Sequence, residues 1–333
     1  MTETSRDEET VTEIVVDAPG DAEVLQIRTR AADELASGSV RVKITAIAVN
    51  FRDIHVRRGT GDIDRYPVVP GSDYAGIVTE VADDVTDVAI GQRVVGLAAT
   101  GAYATEIVTP RLMVHPLPAT ISDELAATLP TAGMTASFLC SSSGVGSGST
   151  VITWAAAGGL GCYLGAVAAD LGATTIGITS TDDKADAARN AGHRHVVTYR
   201  TGHPVELVRE FAPAGVDIVF DAVGGPDFAR SFRMLADHGT VVLCGRAAGE
   251  PDIGNLAADF IGSRRNLALR DFSLMGHLVT NLDQIPGRFD QLIATVTRHP
   301  DLIPITTYPL CDAADAHRHI ETGASIGKIV LLP

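Results

Sequence analysis

The sequence predicts a two-part α/β protein, a small β-barrel half joined to a doubly wound parallel sheet. Three observations carry this. Residues 150–170, TVITWAAAGGLGCYLGAVAAD, run from an apolar, β-branched stretch through a glycine-rich turn into an Ala- and Leu-rich helix pattern. From there to Cys244 short strands alternate with helical stretches of about ten residues, which implies a parallel sheet covered on both faces. Residues 13–118 are instead a series of short β-patterned runs punctuated by Gly and Pro. At 333 residues the chain exceeds one ordinary core, so two domains are expected.

Taken in order, residues 1–12 are polar and acidic, lack the basic and apolar regions of a signal peptide, and read as a disordered tail. The barrel half takes residues 13–122, with strands expected at Ser39–Val49, Gly76–Val81, Arg93–Leu97 and Glu106–Thr109. Ser122 is an N-cap candidate for a helix over Asp123–Cys140. The doubly wound domain, residues 123–262, continues after the glycine turn. Its strands are expected at Thr174–Thr179, His195–Tyr199, Val216–Phe220 and Gly239–Cys244. Its helices are expected at Asp182–Ala191, Pro204–Phe211 and Asp227–Leu235. Residues 263–333 hold a run at Leu267–Leu274, a helix at Ile285–Arg298 and a closing strand at Ile326–Leu332. They are too few for a third domain and are expected to pack on the barrel half.

Net charge is −15, from 41 acidic and 26 basic residues, and no basic run interrupts it. This excludes nucleic acid and anionic membrane surfaces as partners. No apolar stretch reaches the ~18 residues of a membrane span. Cys140, Cys162, Cys244 and Cys311 are far apart with no C-x-x-C spacing, which reads as a reduced, cytoplasmic protein without a structural zinc.

Chemistry begins at the glycine turn. Gly158 and Gly161 fit the second and third glycines of G-x-G-x-x-G, with Ala156 in place of the first. In a strand–turn–helix context such a turn lets a dinucleotide pyrophosphate approach backbone N–H groups at a helix N-terminus. Ala157, Gly158, Gly159, Leu160 and Gly161 are therefore cofactor candidates. The following strand ends Ile178, Thr179, Ser180, Thr181, without the acid that would bind the ribose 2′-OH of NAD.

Several motifs together resemble the zinc-independent quinone oxidoreductase and enoyl-reductase branch of the medium-chain dehydrogenase/reductase superfamily. They are VNFRD at 49–53, PVVPGSDYAG at 67–76, LPTAGMTA at 129–136, AAAGGLG at 155–161 and the terminal GKIVLLP. The match covers nearly the whole chain. It implies a GroES-like β-barrel catalytic domain with a Rossmann nucleotide domain, NADPH rather than NADH as cofactor, and a homodimer. The implied reaction is hydride transfer to a small enone or quinone. Zinc-bearing relatives use a Cys near Asn50 and a Gly-His-Glu where this chain has Gly71, Ser72 and Asp73, so no catalytic metal is expected.

The resemblance also distributes roles. Ser180 and Lys184 are similar to the 2′-phosphate contacts of NADPH-dependent relatives, with Tyr199 on the adenosine side; Thr181 followed by Asp182 and Asp183 reads equally as an ordinary helix start, with Lys184 on a solvated face. Thr135 lines the nicotinamide or bonds its own helix backbone, and Lys328 of the closing motif belongs with the cofactor; Gly245 and Arg246 follow a strand end on the side where such sheets bind ligands, so Arg246 is expected to face the pyrophosphate. His55 stands where relatives carry a Tyr, as oxyanion or proton donor; its alternative is a surface histidine beside Arg57 and Arg58. Asn50 and Arg52 shape the acceptor site or hold a turn. Tyr74 and Tyr103 are hydroxyl donors or core aromatics. The Lys and Asp proton-donor candidates of synthase-fused enoyl reductases fall near Asp227 and Ala248, so that pair is absent. Two other functions stay open: a pathway-specific reductase of a polyketide-type intermediate, and a non-catalytic NADPH-binding protein of the crystallin or adaptor kind.

Overall fold

The computed structural model describes residues 10–61, 63, 65–199, 203–254 and 256–333. The chain divides into two compact units, one running up to Thr131 and resuming over Ile305–Pro333, the other Ala132–Pro304.

The first unit holds β1 (Thr10–Val16), β2 (Leu25–Ala31), β3 (Ser39–Ala48), α1 (Phe51–Arg58), β4 (Asp73–Val81), β5 (Arg93–Leu97), β6 (Glu106–Pro110), β7 (Val114–Pro116) and α2 (Asp123–Ala127). Strands β1 and β2 pair antiparallel. The larger sheet takes its two remaining strands, β14 (Ile305–Pro309) and β15 (Lys328–Leu332), from the end of the chain and has the order β14-β15-β3-β4-β5-β7, with β6 also on β3. One core lies inside it, built on residues such as Ile14, Val42, Ile47, Tyr74, Val94, Tyr103 and Leu331. Tyr74 lies opposite Gly96 in the β4–β5 register, and a Cβ on Gly96 would sit 2.1 Å from the tyrosine ring. The missing side chain is the space the ring fills.

The second unit holds α3 (Met134–Ser142), β8 (Thr150–Trp154), α4 (Gly159–Asp170), β9 (Thr174–Thr179), α5 (Ala185–Asn190), β10 (His195–Thr198), α6 (Pro204–Phe211), β11 (Val216–Asp221), α7 (Arg230–Arg233), β12 (Leu235–Leu243), β13 (Ala268–Asp271), α8 (Leu274–Leu278) and α9 (Ile285–Arg298). The chain then completes the first unit with β14 (Ile305–Pro309), α10 (Ala313–Glu321) and β15 (Lys328–Leu332). The second sheet is parallel with the order β10-β9-β8-β11-β12-β13. Counted from β8 this is 3-2-1-4-5-6, the dinucleotide-binding order, with its reversal between β8 and β11.

Four expectations are corrected. Residues 10–12, grouped with the tail, belong to β1 because they pair with β2, while 1–9 lie outside the described residues. The helix expected over 123–140 is broken into α2, a π-helical turn at Leu129–Gly133 and α3, since Pro130 has no N–H to continue the ladder. The helix expected at 227–235 shrinks to α7, because Leu235 already pairs with Val216 as β12 begins. Residues 263–304, grouped by sequence with the barrel half, fall in the second unit. Strand β13 extends its sheet beside β12, and Leu292 of α9 packs on Gly133, where a Cβ would meet it at 3.0 Å.

Candidate functional site

In the second unit the glycine turn is built as the sequence requires. Ala155 leaves β8 with φ +53, and Ala156 N–H donates to Ile178 O at 3.0 Å, tying the turn to β9. Gly158 caps α4 with extended backbone, so the N–H groups of the helix's first turn, from Gly159, Leu160 and Gly161, form its positive end. Gly161 has no room for a side chain: a Cβ would lie 2.3 Å from Ala155 O and 2.6 Å from Ala156 Cα. The glycine is what lets the helix approach the strand end. His193, buried beneath, donates Nε2–H to Gly161 O at 3.0 Å. Burial pushes its imidazole down to about 4, so it is neutral and its tautomer is set by that bond.

The other cofactor candidates of this unit gather at the same carboxyl edge of the sheet, where doubly wound folds take ligands. Ser180 follows β9 half-buried, Lys184 closes the short turn Asp182–Lys184, and Tyr199 follows β10, exposed, its ring 6.1 Å from that of Trp154. Gly245 follows β12 and approaches the neighbouring loop so closely that a Cβ would meet Ala222 O at 2.6 Å. Thr135 is buried on α3. Arg246, expected to face a pyrophosphate, is instead placed between two carboxylates, Glu250 and Asp271, each at 3.2 Å.

The first unit contains a buried ionic centre that the sequence did not announce. Ala48 of β3 pairs with Asp73 of β4 and with Val330 of β15, and Asn50 caps α1 two residues later. The register thus brings Asn50, Asp73 and Lys328 together. Lys328 Nζ donates to Val49 O at 2.8 Å and to Asn50 Oδ1 at 2.5 Å. Asn50 Nδ2 donates to Asp73 Oδ2 at 3.0 Å, and Thr131 donates its N–H to Oδ2 and its hydroxyl to Oδ1 of the same carboxylate. Asp53 accepts from Asn50 N–H at 2.8 Å and from the Tyr103 hydroxyl at 3.2 Å, both on Oδ2; its Oδ1 is buried with no hydrogen-bond partner among the described residues. Burial raises both carboxyls, Asp53 to about 6, and lowers Lys328, while the ammonium and the carboxylates oppose those shifts in one another.

Behind Asp53 the chain of bonds continues. Arg57, fully buried, donates to His317 Nδ1 at 3.3 Å and pairs with Glu321 at 2.6 Å. His317 Nδ1 therefore accepts, which leaves the proton on Nε2, 2.9 Å from the Tyr103 hydroxyl. Burial and the adjacent guanidinium push this imidazole down to about 3.

Of the proposed catalytic residues, the structure puts only Asn50 in this centre. Lys328, expected with the cofactor, is buried here and holds Asn50. Tyr74 is fully buried over Gly96, the core position that its second reading gave it, and burial raises its phenol. Tyr103 is likewise buried, within the Asp53–His317 chain. His55 lies half-buried on α1, its Nδ1 3.0 Å from Thr60 Oγ1, and its neighbour Arg57 is not a surface residue. Arg52 reaches Ser72 Oγ at 2.9 Å and Ala99 O at 2.6 Å and so braces the loop before β4. Asp53, Asp73, Thr131 and His317 were missed as a set; the first three stood inside quoted motifs, but nothing local marked them as buried.

The donor set does not fit a zinc ion. An amide, a hydroxyl and a carboxylate already bound by Thr131 and Asn50 replace soft ligands, and an ammonium is seated among them. Among the described residues no group of three or more His, Cys, Asp or Glu is arranged to hold a metal, and no helix is long and apolar enough to cross a membrane.

Comparison with known proteins agrees with this architecture. Residues 36–119 match the alcohol dehydrogenase GroES-like domain, and residues 159–298 match the family described as zinc-binding dehydrogenase. The chain is 36% identical to a 2-haloacrylate reductase of Burkholderia sp over 89% of its own length and 91% of that protein. It is 32% identical to quinone oxidoreductase 1 of Escherichia coli (strain K12), over 94% of this chain and 97% of that one. The solved structure of Escherichia coli quinone oxidoreductase complexed with NADPH superposes with a TM-score of 0.89 at 30% identity, covering 97% of this chain and all of that one. With both domains matched in order along one chain, the protein belongs to the medium-chain dehydrogenase/reductase superfamily, in its quinone oxidoreductase and enoyl-reductase branch.

Proposed function

We propose that the protein is an NADPH-dependent oxidoreductase that reduces the activated C=C of a small enone, or a quinone. The observation that carries this is the turn at Ala155–Gly161, where Gly161, with no room for a side chain, brings a helix N-terminus against the strand end at the switch point of the sheet. Support comes from the 2-haloacrylate reductase and quinone oxidoreductase likenesses over almost the full chain.

The residues present fit the cofactor. Ala157 to Gly161 would take the pyrophosphate, Ser180 and Lys184 the 2′-phosphate, Tyr199 the adenosine side, and Thr135 the nicotinamide side. When bound, NADPH supplies the hydride; the chain supplies binding, orientation and a proton. Asn50, fixed through its amide by Lys328 and Asp73, is pre-oriented as a polar contact. His55 is the proposed donor to the oxygen or carbon that gathers charge after reduction. The residues around Asn50 offer an ammonium that donates hydrogen bonds and no open coordination position, which suits a conjugated acceptor better than an alcohol requiring a Lewis acid.

The expected result is turnover of NADPH on a panel of simple quinones and enones, with a higher kcat/KM for NADPH than for NADH. His55→Ala is expected to lose about tenfold to a hundredfold in kcat. Equal preference for NADH, or wild-type kcat in His55→Ala, would remove the cofactor or the donor assignment respectively. We further propose a cytoplasmic homodimer with neither nucleic-acid nor membrane partners. The four unpaired cysteines suit a reducing compartment. The edge strand β13 leaves Leu269 exposed, and Ile261 and Val279 of the same unit are exposed as well, which favours their being covered. A monomeric mass in sedimentation equilibrium at micromolar concentration would refute the dimer.

A further inference from the structure

We propose that Trp154, Ser231 and Asp221 form a positioning relay that sets the shape of the nucleotide-site loops, and with it the affinity for the dinucleotide. The proposal rests on the reading that the Ala155–Gly161 turn takes NADPH.

The relay crosses the switch point of the sheet. Phe220 of β11 pairs with Thr153 of β8, so the next residues, Asp221 and Trp154, end adjacent strands side by side. Trp154 Nε1–H donates to Ser231 Oγ at 2.8 Å, and the Ser231 hydroxyl donates to Asp221 Oδ2 at 2.7 Å. All three side chains are buried. The other oxygen, Asp221 Oδ1, accepts the backbone N–H groups of Val223 at 2.9 Å and Gly224 at 3.0 Å. One carboxylate thus fixes the turn after β11 with one oxygen and is itself held by the serine with the other.

That turn organises the next one. Gly224 and Gly225 both have positive φ, and Gly225 N–H donates to Gly249 O at 3.0 Å. Cys244 N–H donates to Asp221 O and Ala248 N–H to Val223 O, each at 2.8 Å. Loops 222–225 and 244–249 are therefore zipped together behind Asp221, and Gly245, whose backbone touches Ala222, sits in the zipped segment. At the other end of the relay, Trp154 directly precedes the left-handed Ala155 that starts the phosphate turn, and its ring meets Tyr199. A single buried side-chain string connects the phosphate turn, the adenosine-side tyrosine and both loops after β11 and β12. None of these three residues reaches the cofactor as a donor; they act through the backbone they hold.

The chain has one tryptophan, so its intrinsic emission reports Trp154 alone. Titration of NADPH into the wild-type protein is expected to change that emission saturably, and calorimetry gives the dissociation constant. Ser231→Ala leaves a buried carboxylate oxygen and an indole N–H without partners and is expected to raise that constant about tenfold. KM for NADPH should rise in step while kcat at saturating NADPH stays within about twofold. Trp154→Phe, which removes one donor and little volume, should weaken binding in calorimetry as well. The double variant should lose little more than Ser231→Ala alone, because the string is already cut. Val208→Ala, which trims a core valine on α6 outside the hydrogen-bonded string, should lower the melting temperature without changing the dissociation constant.

The outcomes separate. If the wild-type protein shows no NADPH binding, the cofactor reading fails and the relay falls with it. If the wild type binds and both single variants, with cooperative melts, bind within twofold of it, the relay is refuted while the cofactor reading stands. If Val208→Ala weakens binding as much as Ser231→Ala does, affinity follows general stability and positioning is refuted.

Discussion

Lys328→Met is expected to destabilise the first unit by about 3–5 kcal/mol, the cost of breaking a buried ion pair from one side. The substitution keeps the length of the stem but removes the ammonium that faces Asp73 and Asp53, and it strips Asn50 Oδ1 and Val49 O of their donor. Neither carboxylate can reach water, since both are fully buried. The deficit should depend on pH with a defined sign. Both carboxyls are already raised in the folded protein, Asp53 to about 6 from an ordinary 3.8, and loss of the ammonium raises them further. The folded state then binds protons before the unfolded state does, so stability is present at low pH and is lost as pH rises through the folded values. Urea unfolding followed at pH 5 and pH 8 should show the smaller deficit at pH 5. His317, depressed by burial, works in the opposite direction below pH 6.5, but it does so in wild type and variant alike and cancels in the difference. A deficit of equal size at both pH values would mean that lost packing, and not uncompensated charge, is what Lys328 prevents.

Gly161→Ala is expected to cost about 1–3 kcal/mol of stability and to abolish measurable dinucleotide binding. The added methyl meets backbone, Ala155 O at 2.3 Å and Ala156 Cα at 2.6 Å, so no side chain can swing aside and α4 must withdraw from the strand end. Withdrawal moves the helix N-terminus that receives the pyrophosphate and pulls on the Gly161 O to which His193 donates. Gly158→Ala is the matched control. There the nearest atom lies at 3.2 Å and φ is −86, within reach of any residue. Its melting temperature should fall less, and only its effect on binding should remain. Wild-type affinity in Gly161→Ala, by calorimetry with NADPH, would show that this glycine is not a close-approach residue.

How much of this was legible in the sequence depended on whether the signal was local. The phosphate turn was, because close approach demands glycine at set spacing, and the strand–helix alternation around it fixed the parallel sheet. The strands at Thr174–Thr179 and Arg93–Leu97 and the helices at Pro204–Phe211 and Ile285–Arg298 fell where periodicity and capping put them. The ionic centre was not legible. Asp53 and Asp73 carry no local mark of burial, and Lys328 reads as a cofactor residue, until the β15–β3–β4 register buries the three together. Nor was the Trp154–Ser231–Asp221 string, whose members are 77 and 10 residues apart. Nor were the settings of Tyr74 and Arg246, since a tyrosine opposite a glycine and an arginine between two acids are tertiary facts.

The second unit is inserted between Thr131 and Ile305 of the first, and this orders events during synthesis. Every strand of the parallel sheet has left the ribosome before β14 and β15 are made, so the nucleotide unit has all its partners available first. The barrel must wait for its own closing strands across the 173 residues of Ala132–Pro304. Lys328 arrives with the last of them. Until then Asp53 and Asp73 have no cation to be buried against, and the early strands keep their charges in water.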